Sequence, residues 1–294
     1  MLRRGDFRPL SIDDIGRIRE LYSRHPVEHS DYLPALMLAW QHFMDYEIAW
    51  LKGSLVILTA HDGKVNLRPP IGPWSKDDVE EVLSLSRELD AEHMLSMVGP
   101  EAKRAISTDF PELKFSPRRD FFDYIYLASD LTELPGKRYL NTRNYLNKFR
   151  RECPHSVERI GRDNISEVRD FLHRWCVQKG CGDDRFLMAE REATSFSLEH
   201  MFELGLEGLL IRTKGNVEAF SLFEHMNEEM AVIHYEKANS DIPGLYQAIN
   251  NEAARYLCEN YRFINRESDM GVPGLRQVKE RYGPCRMLEV HFAR

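Results

Sequence analysis

The hydrophobic positions of the first half of the chain switch between helical and extended spacing. A helix-face spacing follows Ser11, a good N-cap residue, and is formed by Ile12, Ile15, Ile18 and Leu21. Extended segments then run over residues 46–66, where Asp62-Gly63 is a strong hairpin signal. The pattern further predicts a helix over 75–89 and strands over 94–98 and 121–127.

The second half repeats this order of elements. Helical spacing covers residues 139–151, 164–179, 189–204, 244–260 and 274–281. Three extended segments, at 209–213, 218–224 and 230–237, are joined by short polar turns and predict an antiparallel meander. Further strands are predicted over 263–267 and 286–292. The order is α+β rather than alternating βαβ, and we predict two domains, residues 1–127 and 128–294.

Composition restricts the class of protein. The 294 residues suffice for about two domains, and 43% of them are hydrophobic, so disorder is not expected. The net charge of −7 excludes a uniformly basic nucleic-acid coat, although not a local basic groove. No apolar run approaches the ~20 residues of a membrane helix, and we expect no signal peptide. Five cysteines, an odd number, favour reduced thiols and a cytoplasmic location.

Several catalytic signatures are absent from the sequence. It holds no Walker loop, no G-x-S-x-G and no H-E-x-x-H, and Gly180-Cys181-Gly182 lacks the third glycine of a dinucleotide loop. His173 and Cys176 share a helix face, but no second Cys/His pair completes a zinc site. We therefore expect no metal.

The segment 137–151 is strongly basic. It contains six Lys or Arg residues and no acidic residue, and the candidate phosphate contacts are Lys137, Arg138, Arg143 and Lys148. A solvated amphipathic helix is the plain alternative. The functional interpretation is a grip on the phosphates of a tRNA, a phospholipid head group or coenzyme A.

A polar run follows the short apolar strand start at residues 263–264. Such a run at a strand end is typical of a site, and its candidate substrate-binding residues are Asn265, Arg266, Arg276 and Lys279. Glu267 and Asp269 in this run are candidate proton acceptors. On the strand 230–237, strict alternation would put His234 and Glu236 on one face, so Glu236 is a third candidate. The alternatives are a polar loop with internal ion pairs and a half-exposed strand face.

Two segments of the chain resemble the signatures of a known family. The first is Phe122-Asp123-Tyr124-Ile125-Tyr126 with Gly136-Lys137-Arg138-Tyr139, Arg143-Asn144 and Asn147-Lys148-Phe149. The second is Asn265-Arg266-Glu267-Ser268-Asp269-Met270-Gly271-Val272-Pro273-Gly274-Leu275-Arg276, with Lys279 and Tyr282. Together they resemble the phosphatidylglycerol lysyltransferase C-terminal-domain family, which also contains many soluble members.

The resemblance implies two tandem GNAT-like domains, each a mixed, mostly antiparallel sheet flanked by helices, as in Fem-type peptidyltransferases. It implies an acyltransferase that moves an aminoacyl group from aminoacyl-tRNA to an amine or hydroxyl, with the second domain catalytic. The acceptor would be a small molecule or a peptide. A lipid acceptor is in doubt because the chain lacks the membrane-spanning part that lipid-modifying members carry, so no integral membrane association is expected.

Two other functions stay open. One is a coenzyme-A-dependent N-acyltransferase with acetyl-coenzyme A as donor. The R/Q-x-x-G-x-G/A motif is incomplete at Arg212–Val217 and lacking at Asp241–Leu245, so no cofactor is certain. The other is a non-catalytic module that binds a ligand or a protein.

Overall fold

The computed structural model describes residues 1–294, apart from the side chain of Asp183. The chain forms two compact units. The first consists of Met1–Phe122 with Leu288–Arg294, and the second of Asp123–Met287. Short 3-10 turns lie at Arg4–Asp6, Ile12–Asp14, Ser30–Tyr32, Arg119–Phe121 and Cys181–Asp183.

The first unit packs helices against antiparallel strands. Its helices are α1 (Ile15–Arg24), α2 (Pro34–Ala39), α3 (Gln41–Met44), α4 (Lys76–Glu88) and α5 (Pro100–Asp109). Its strands are β1 (Arg8–Pro9), β2 (Glu47–Leu51), β3 (Ser54–His61), β4 (Lys64–Leu67), β5 (Leu95–Val98) and β6 (Phe115–Pro117). One sheet has the order β1-β2-β3-β4. The predicted hairpin joins β3 to β4, with positive φ at both Asp62 and Gly63, as a type I′ turn requires.

The second unit is built on one long sheet. Its helices are α6 (Ala128–Glu133), α7 (Leu140–Glu152), α8 (Ile165–Lys179), α9 (Arg185–Glu199), α10 (Leu245–Cys258) and α11 (Pro273–Arg281). Its strands are β7 (Asp123–Leu127), β8 (His155–Arg159), β9 (Glu207–Thr213), β10 (Asn216–Asn227), β11 (Met230–Ala238), β12 (Phe263–Asn265) and β13 (Arg286–Leu288). The sheet order is β13-β7-β12-β11-β10-β9-β8.

The two faces of this sheet are covered by different helices. On one face, Phe223 and Ile233 belong to a core with apolar residues of α7 and α10. On the other face, Phe171 of α8 meets Phe220 of β10 edge to face, with 6.0 Å between ring centroids. β11 and β12 pair in parallel, whereas the β8–β9, β9–β10, β10–β11 and β12–β7 pairs are antiparallel. The predicted α+β fold with a mixed, mostly antiparallel sheet is confirmed.

The end of the chain departs from the prediction. Instead of one closing strand over 286–292, β13 joins the second unit's sheet, and β14 (His291–Ala293) pairs with β5 and β6 in the first unit. At the predicted division near Leu127, β7 already pairs with β12, so the second unit begins at Asp123. The predicted strand 263–267 ends at Asn265, because Glu267 has a left-handed φ of 58°.

In the part of the chain that the structure describes, none of the helices has the length and apolarity needed to cross a bilayer.

The N-terminus of α10 requires a glycine. Gly244 has φ 88°, and a Cβ built there would lie 2.4 Å from the carbonyl oxygen of Tyr145. We expect Gly244→Ala to lower the free energy of unfolding by about 2–4 kcal/mol, because it adds both strain and overlap. Urea denaturation measures this change.

Gly274→Ala is the matched control. Nothing lies within 4 Å of a Cβ built at Gly274, and this glycine is inside α11. Alanine should therefore change stability by less than about 1 kcal/mol, in the stabilising direction. Equal stability of the two variants would contradict the packing described here.

Candidate active site

The parallel strands β11 and β12 separate at their carboxyl ends. Their pairing stops at Val232 and Asn265, after which β11 continues to Ala238 while the other segment turns away from β11. Arg266 and Glu267 still exchange backbone hydrogen bonds with Tyr124 of β7. We call the space between residues 233–238 and 266–269 the strand split. Ligands of open α/β sheets bind at such carboxyl ends, and side chains from both segments converge here.

An ion pair of Glu236 and Arg266 bridges the strand split on one side. Arg266 Nη2 donates to Glu236 Oε2, and Asn250 Nδ2 of α10 donates to Glu236 Oε1 at 3.1 Å. The guanidinium carbon lies 5.8 Å from the ring centroid of Tyr126 and 5.0 Å from that of Tyr282. Both charged side chains are mostly buried, at 12% and 13% exposure.

This ion pair has one unused donor. Arg266 Nη1 is buried and has no hydrogen-bond partner among the residues that the structure describes. A buried donor without an acceptor costs about 1–3 kcal/mol, so a bound acceptor oxygen would be favoured at this position.

A second bridge crosses the strand split at His234. His234 Nδ1 lies 2.6 Å from Glu267 Oε1, and Nε2 lies 2.9 Å from Glu224 Oε1 of the neighbouring strand. We call Glu224, His234 and Glu267 the His234 unit. Burial lowers the pKa of His234, but hydrogen bonds to the two carboxylates raise it more, to about 10. Burial also raises the pKa of Glu267.

The predicted shared face of His234 and Glu236 is wrong, because a bulge interrupts β11. Ser221 pairs with Glu236 and Glu224 pairs with Val232, so β11 uses one residue more than β10 over this stretch. Alternation then places Glu236 toward α10 and Glu224, which His234 contacts, toward the other face. The three predicted acids therefore do not form one cluster.

Lys279 fixes the chain between the two bridges. Its ammonium donates to three successive carbonyl oxygens, those of Arg266 (2.5 Å), Glu267 (3.1 Å) and Ser268 (2.6 Å). Burial lowers the pKa of Lys279 to about 8. With three donors and three acceptors, the ammonium is fully used and has no donor left for the predicted contact with a substrate.

Asp269 and Arg276 also hold this loop. The Asp269 carboxylate accepts from Tyr124 Oη at 2.6 Å, from Arg276 at 2.8 and 2.9 Å, and from the Gly271 amide at 2.9 Å. Burial raises the pKa of Asp269, but these hydrogen bonds lower it by a larger amount, so the pKa falls to about 2. A carboxylate so firmly ionised is a weak proton acceptor.

Asn265 has a similar part. Its Nδ2 donates to Asp123 Oδ2 at 2.7 Å, and its Oδ1 accepts from the Glu267 amide at 2.7 Å. The residue is fully buried, so it orients Glu267 rather than facing a substrate.

The predicted basic residues divide into two groups. Lys137 and Arg138 are exposed before α7, and Lys148 is exposed on it, 3.9 Å from Glu152. Arg143, in contrast, donates to the carbonyl oxygens of Leu134 and Gly136 in the turn that follows α6. Arg143 is therefore occupied by the fold, while the other three remain available to a ligand.

Sequence reasoning missed Glu224 as a member of the site. The signal was the acidic residue Glu224 directly after the mostly apolar run Phe220–Phe223 of a long strand, where a buried carboxylate needs a partner. Within the described residues, no group of three or more His, Cys, Asp or Glu is arranged to hold a metal ion.

Comparison with known proteins identifies the family. The family model described as phosphatidylglycerol lysyltransferase, C-terminal, matches residues 19–293. The chain therefore belongs to this family, as its two signatures predicted, and the membership supports a GNAT-like acyltransferase. A search of the curated proteins found no match.

Solved structures agree in fold. A conserved protein of unknown function from Bacteroides thetaiotaomicron VPI-5482 is 28% identical over 98% of each chain, with a TM-score of 0.90. L-PGS from Bacillus licheniformis is 15% identical over 95% of this chain and 90% of its own, with a TM-score of 0.65. FemX is 10% identical over 98% and 96%, with a TM-score of 0.59.

The His234 unit should make stability depend on pH. Because the folded pKa of about 10 lies above the ordinary 6.5, folding takes up a proton. This stabilisation is complete below pH 6.5 and is lost as the pH rises to 10, a change on the order of 5 kcal/mol. Urea denaturation between these limits should show that His234→Gln removes this part of the slope.

His225→Gln supplies the comparison, because His225 is exposed on the same hairpin. It should keep the wild-type slope. Lys279, whose pKa is lowered by burial, changes the stability with pH in the opposite direction to His234. This contribution is present in all three proteins and cancels when their slopes are compared. A His234→Gln slope equal to that of the wild type would show that the histidine is not held as a cation.

Proposed function

We propose that the second unit transfers an aminoacyl group from aminoacyl-tRNA to an amine or hydroxyl acceptor. The observation that carries this proposal is the unused, buried Arg266 donor in a strand split that also contains a partly exposed acid, Glu267. A carbonyl-polarising donor and a proton acceptor are what ester aminolysis requires. Family membership supports the same reaction class.

In this proposal the two bridges have different tasks. Arg266 Nη1 donates to the carbonyl oxygen of the aminoacyl ester and stabilises the negative charge that develops there. Glu236 keeps the guanidinium in place, since both of its oxygens are already hydrogen-bonded. Glu267 accepts the proton of the attacking ammonium. The nitrogen then bonds to the carbonyl carbon, the ester C–O bond breaks, and the leaving oxygen takes the second nitrogen proton.

The tRNA would be held by Lys137, Arg138 and Lys148. These exposed cations surround the N-terminal and middle turns of α7, which also exposes the ring of Tyr145. Cations on phosphates with an aromatic ring beside them are a common arrangement for nucleic acids.

Coenzyme A is the less favoured donor. Its pyrophosphate would need the free N-terminus of a helix that follows the meander, which is α10. There the carbonyl oxygen of Tyr145 lies against Gly244, at the distance that leaves no room for a Cβ. An oxygen at this position repels a phosphate, so the acyl-coenzyme A alternative lacks a supporting contact.

The basic residues can be tested by binding. We expect Lys137→Gln with Arg138→Gln to weaken tRNA binding at least about tenfold at low salt and to reduce the salt slope by about two, because two phosphate contacts are lost. Filter binding at several salt concentrations measures both quantities.

Lys214→Gln with Arg169→Gln removes the same charge from exposed positions elsewhere in the second unit. This double variant should bind tRNA as the wild type does. If both double variants lose affinity equally, binding depends on net charge and the α7 site is refuted.

Arg266 can be tested by transfer. The donor is total tRNA charged with labelled amino acids, and the acceptors are hydroxylamine and methylamine, which have the same number of heavy atoms. We expect Arg266→Lys to slow transfer to both acceptors by about 100- to 1,000-fold, since an oxyanion donor is lost whatever the nucleophile.

Arg262→Lys makes the same exchange at an exposed position four residues earlier and should not change the rate. Absence of product with the wild type, with both acceptors, would contradict the proposed function. An unaffected Arg266→Lys rate would remove Arg266 from the reaction.

A further inference from the structure

The His234 unit leads from the interior of the second unit to the strand split. Glu224 and His234 are almost fully buried, with side-chain exposures of 3% and 2%, whereas Glu267 is 21% exposed. Glu267 is therefore the member that a substrate reaches. Its Oε2 makes no hydrogen bond within the described part of the chain, so it is the open acceptor of the unit.

The contacts define the number of protons in the unit. An ionised carboxylate only accepts hydrogen bonds, and a neutral imidazole has a single N–H. Both ring nitrogens of His234 contact a carboxylate, at 2.6 and 2.9 Å, so both donate. The resting unit is an imidazolium between two carboxylates, and its net charge is −1.

We propose that Glu224 and His234 are positioning residues that make Glu267 an effective proton acceptor for the transfer reaction. This inference rests on the proposed function. His234 fixes the direction of the Glu267 carboxylate through Nδ1. Glu224 balances the charge of the imidazolium, so that Glu267 keeps its affinity for a proton.

The charge balance explains why the unit needs Glu224 in addition to His234 and Glu267. When Glu267 Oε2 takes the proton of the ammonium, the unit changes from −1 to neutral, which burial favours. Without Glu224, the same step would leave an uncompensated buried cation, which is costly. Two other charges act on Glu267 and oppose each other: Lys279 lowers its pKa and Asp123 raises it. After the C–N bond has formed, Glu267 releases its proton to water.

The test compares acceptors that differ in basicity. Methylamine, like a lysine amine with a pKa of about 10.4, arrives protonated at neutral pH, whereas hydroxylamine arrives neutral. We expect Glu224→Gln to slow transfer from charged tRNA to methylamine at pH 7 by about 10- to 100-fold, and to leave transfer to hydroxylamine within about threefold. The deficit with methylamine should shrink as the pH rises.

Glu228→Gln is the matched control, because it removes the same charge from an exposed position on the same hairpin. It should leave both rates unchanged. His234→Gln should show the same selective loss as Glu224→Gln and serves as the second variant if Glu224→Gln does not fold.

The outcomes separate this inference from the proposed function. If Glu224→Gln slows transfer to both acceptors equally, its role is structural, and the inference alone is overturned. If it slows transfer to neither acceptor, the inference alone is likewise overturned. Absence of product with the wild type would overturn both. Independently of activity, nitrogen NMR of labelled histidine in the wild type should show both His234 ring nitrogens protonated at pH 8, and a neutral ring would overturn the inference.

Discussion

The candidate site depends on one buried ammonium. Lys279 reaches from α11 to three successive carbonyl oxygens of residues 266–268, just where the chain separates from β11. Carbonyls that leave a strand lose their ladder partners and need others if they are buried. The lysine donates to all three, although the Glu267 carbonyl also accepts from the Tyr124 amide at 3.2 Å. These bonds support the left-handed backbone of Glu267, which a glutamate seldom adopts.

This backbone conformation separates two neighbouring side chains. Arg266 turns to Glu236 on the side of α10, and Glu267 turns to His234 on the other side. The bulge in β11 likewise separates two side chains on the other strand of the split, since it directs His234 and Glu236 to different faces of the sheet. A split between parallel strands thus carries a cationic donor on one side and an acid on the other. Donor and acceptor substrates of a transfer reaction need such separate approaches to one point.

The sequence predicted much of the fold because its signals are local. Asp62-Gly63 defines a hairpin, Gly180 ends α8 with a left-handed φ of 65°, and Ser75 caps α4, each through chemistry within a few residues. The end of β12 was placed two residues late because the reason for it, the contact with Lys279, lies more than ten residues away. The closing strand was predicted as one segment because which sheet a strand joins is a tertiary property.

The sequence predicted which residues form the site better than it predicted the role of each residue. The polar run 265–279 was identified because a cluster of charged residues directly after a buried strand is typical of a functional site. Composition does not reveal that Lys279 and Arg276 face inward, or that Arg143 donates to the turn after α6. Glu224 was missed, and strict alternation misplaced His234, because a bulge is determined by the pairing of two strands rather than by either sequence alone.

The most direct test of this account is a crystal structure of the Lys279→Met variant. Methionine has nearly the length of lysine but donates no hydrogen bonds, so residues 266–268 should rearrange. We predict that the Glu236–Arg266 and His234–Glu267 contacts are then both lost while the rest of the sheet is unchanged. If both contacts persist in the variant, the ammonium does not organise the site and the account is contradicted.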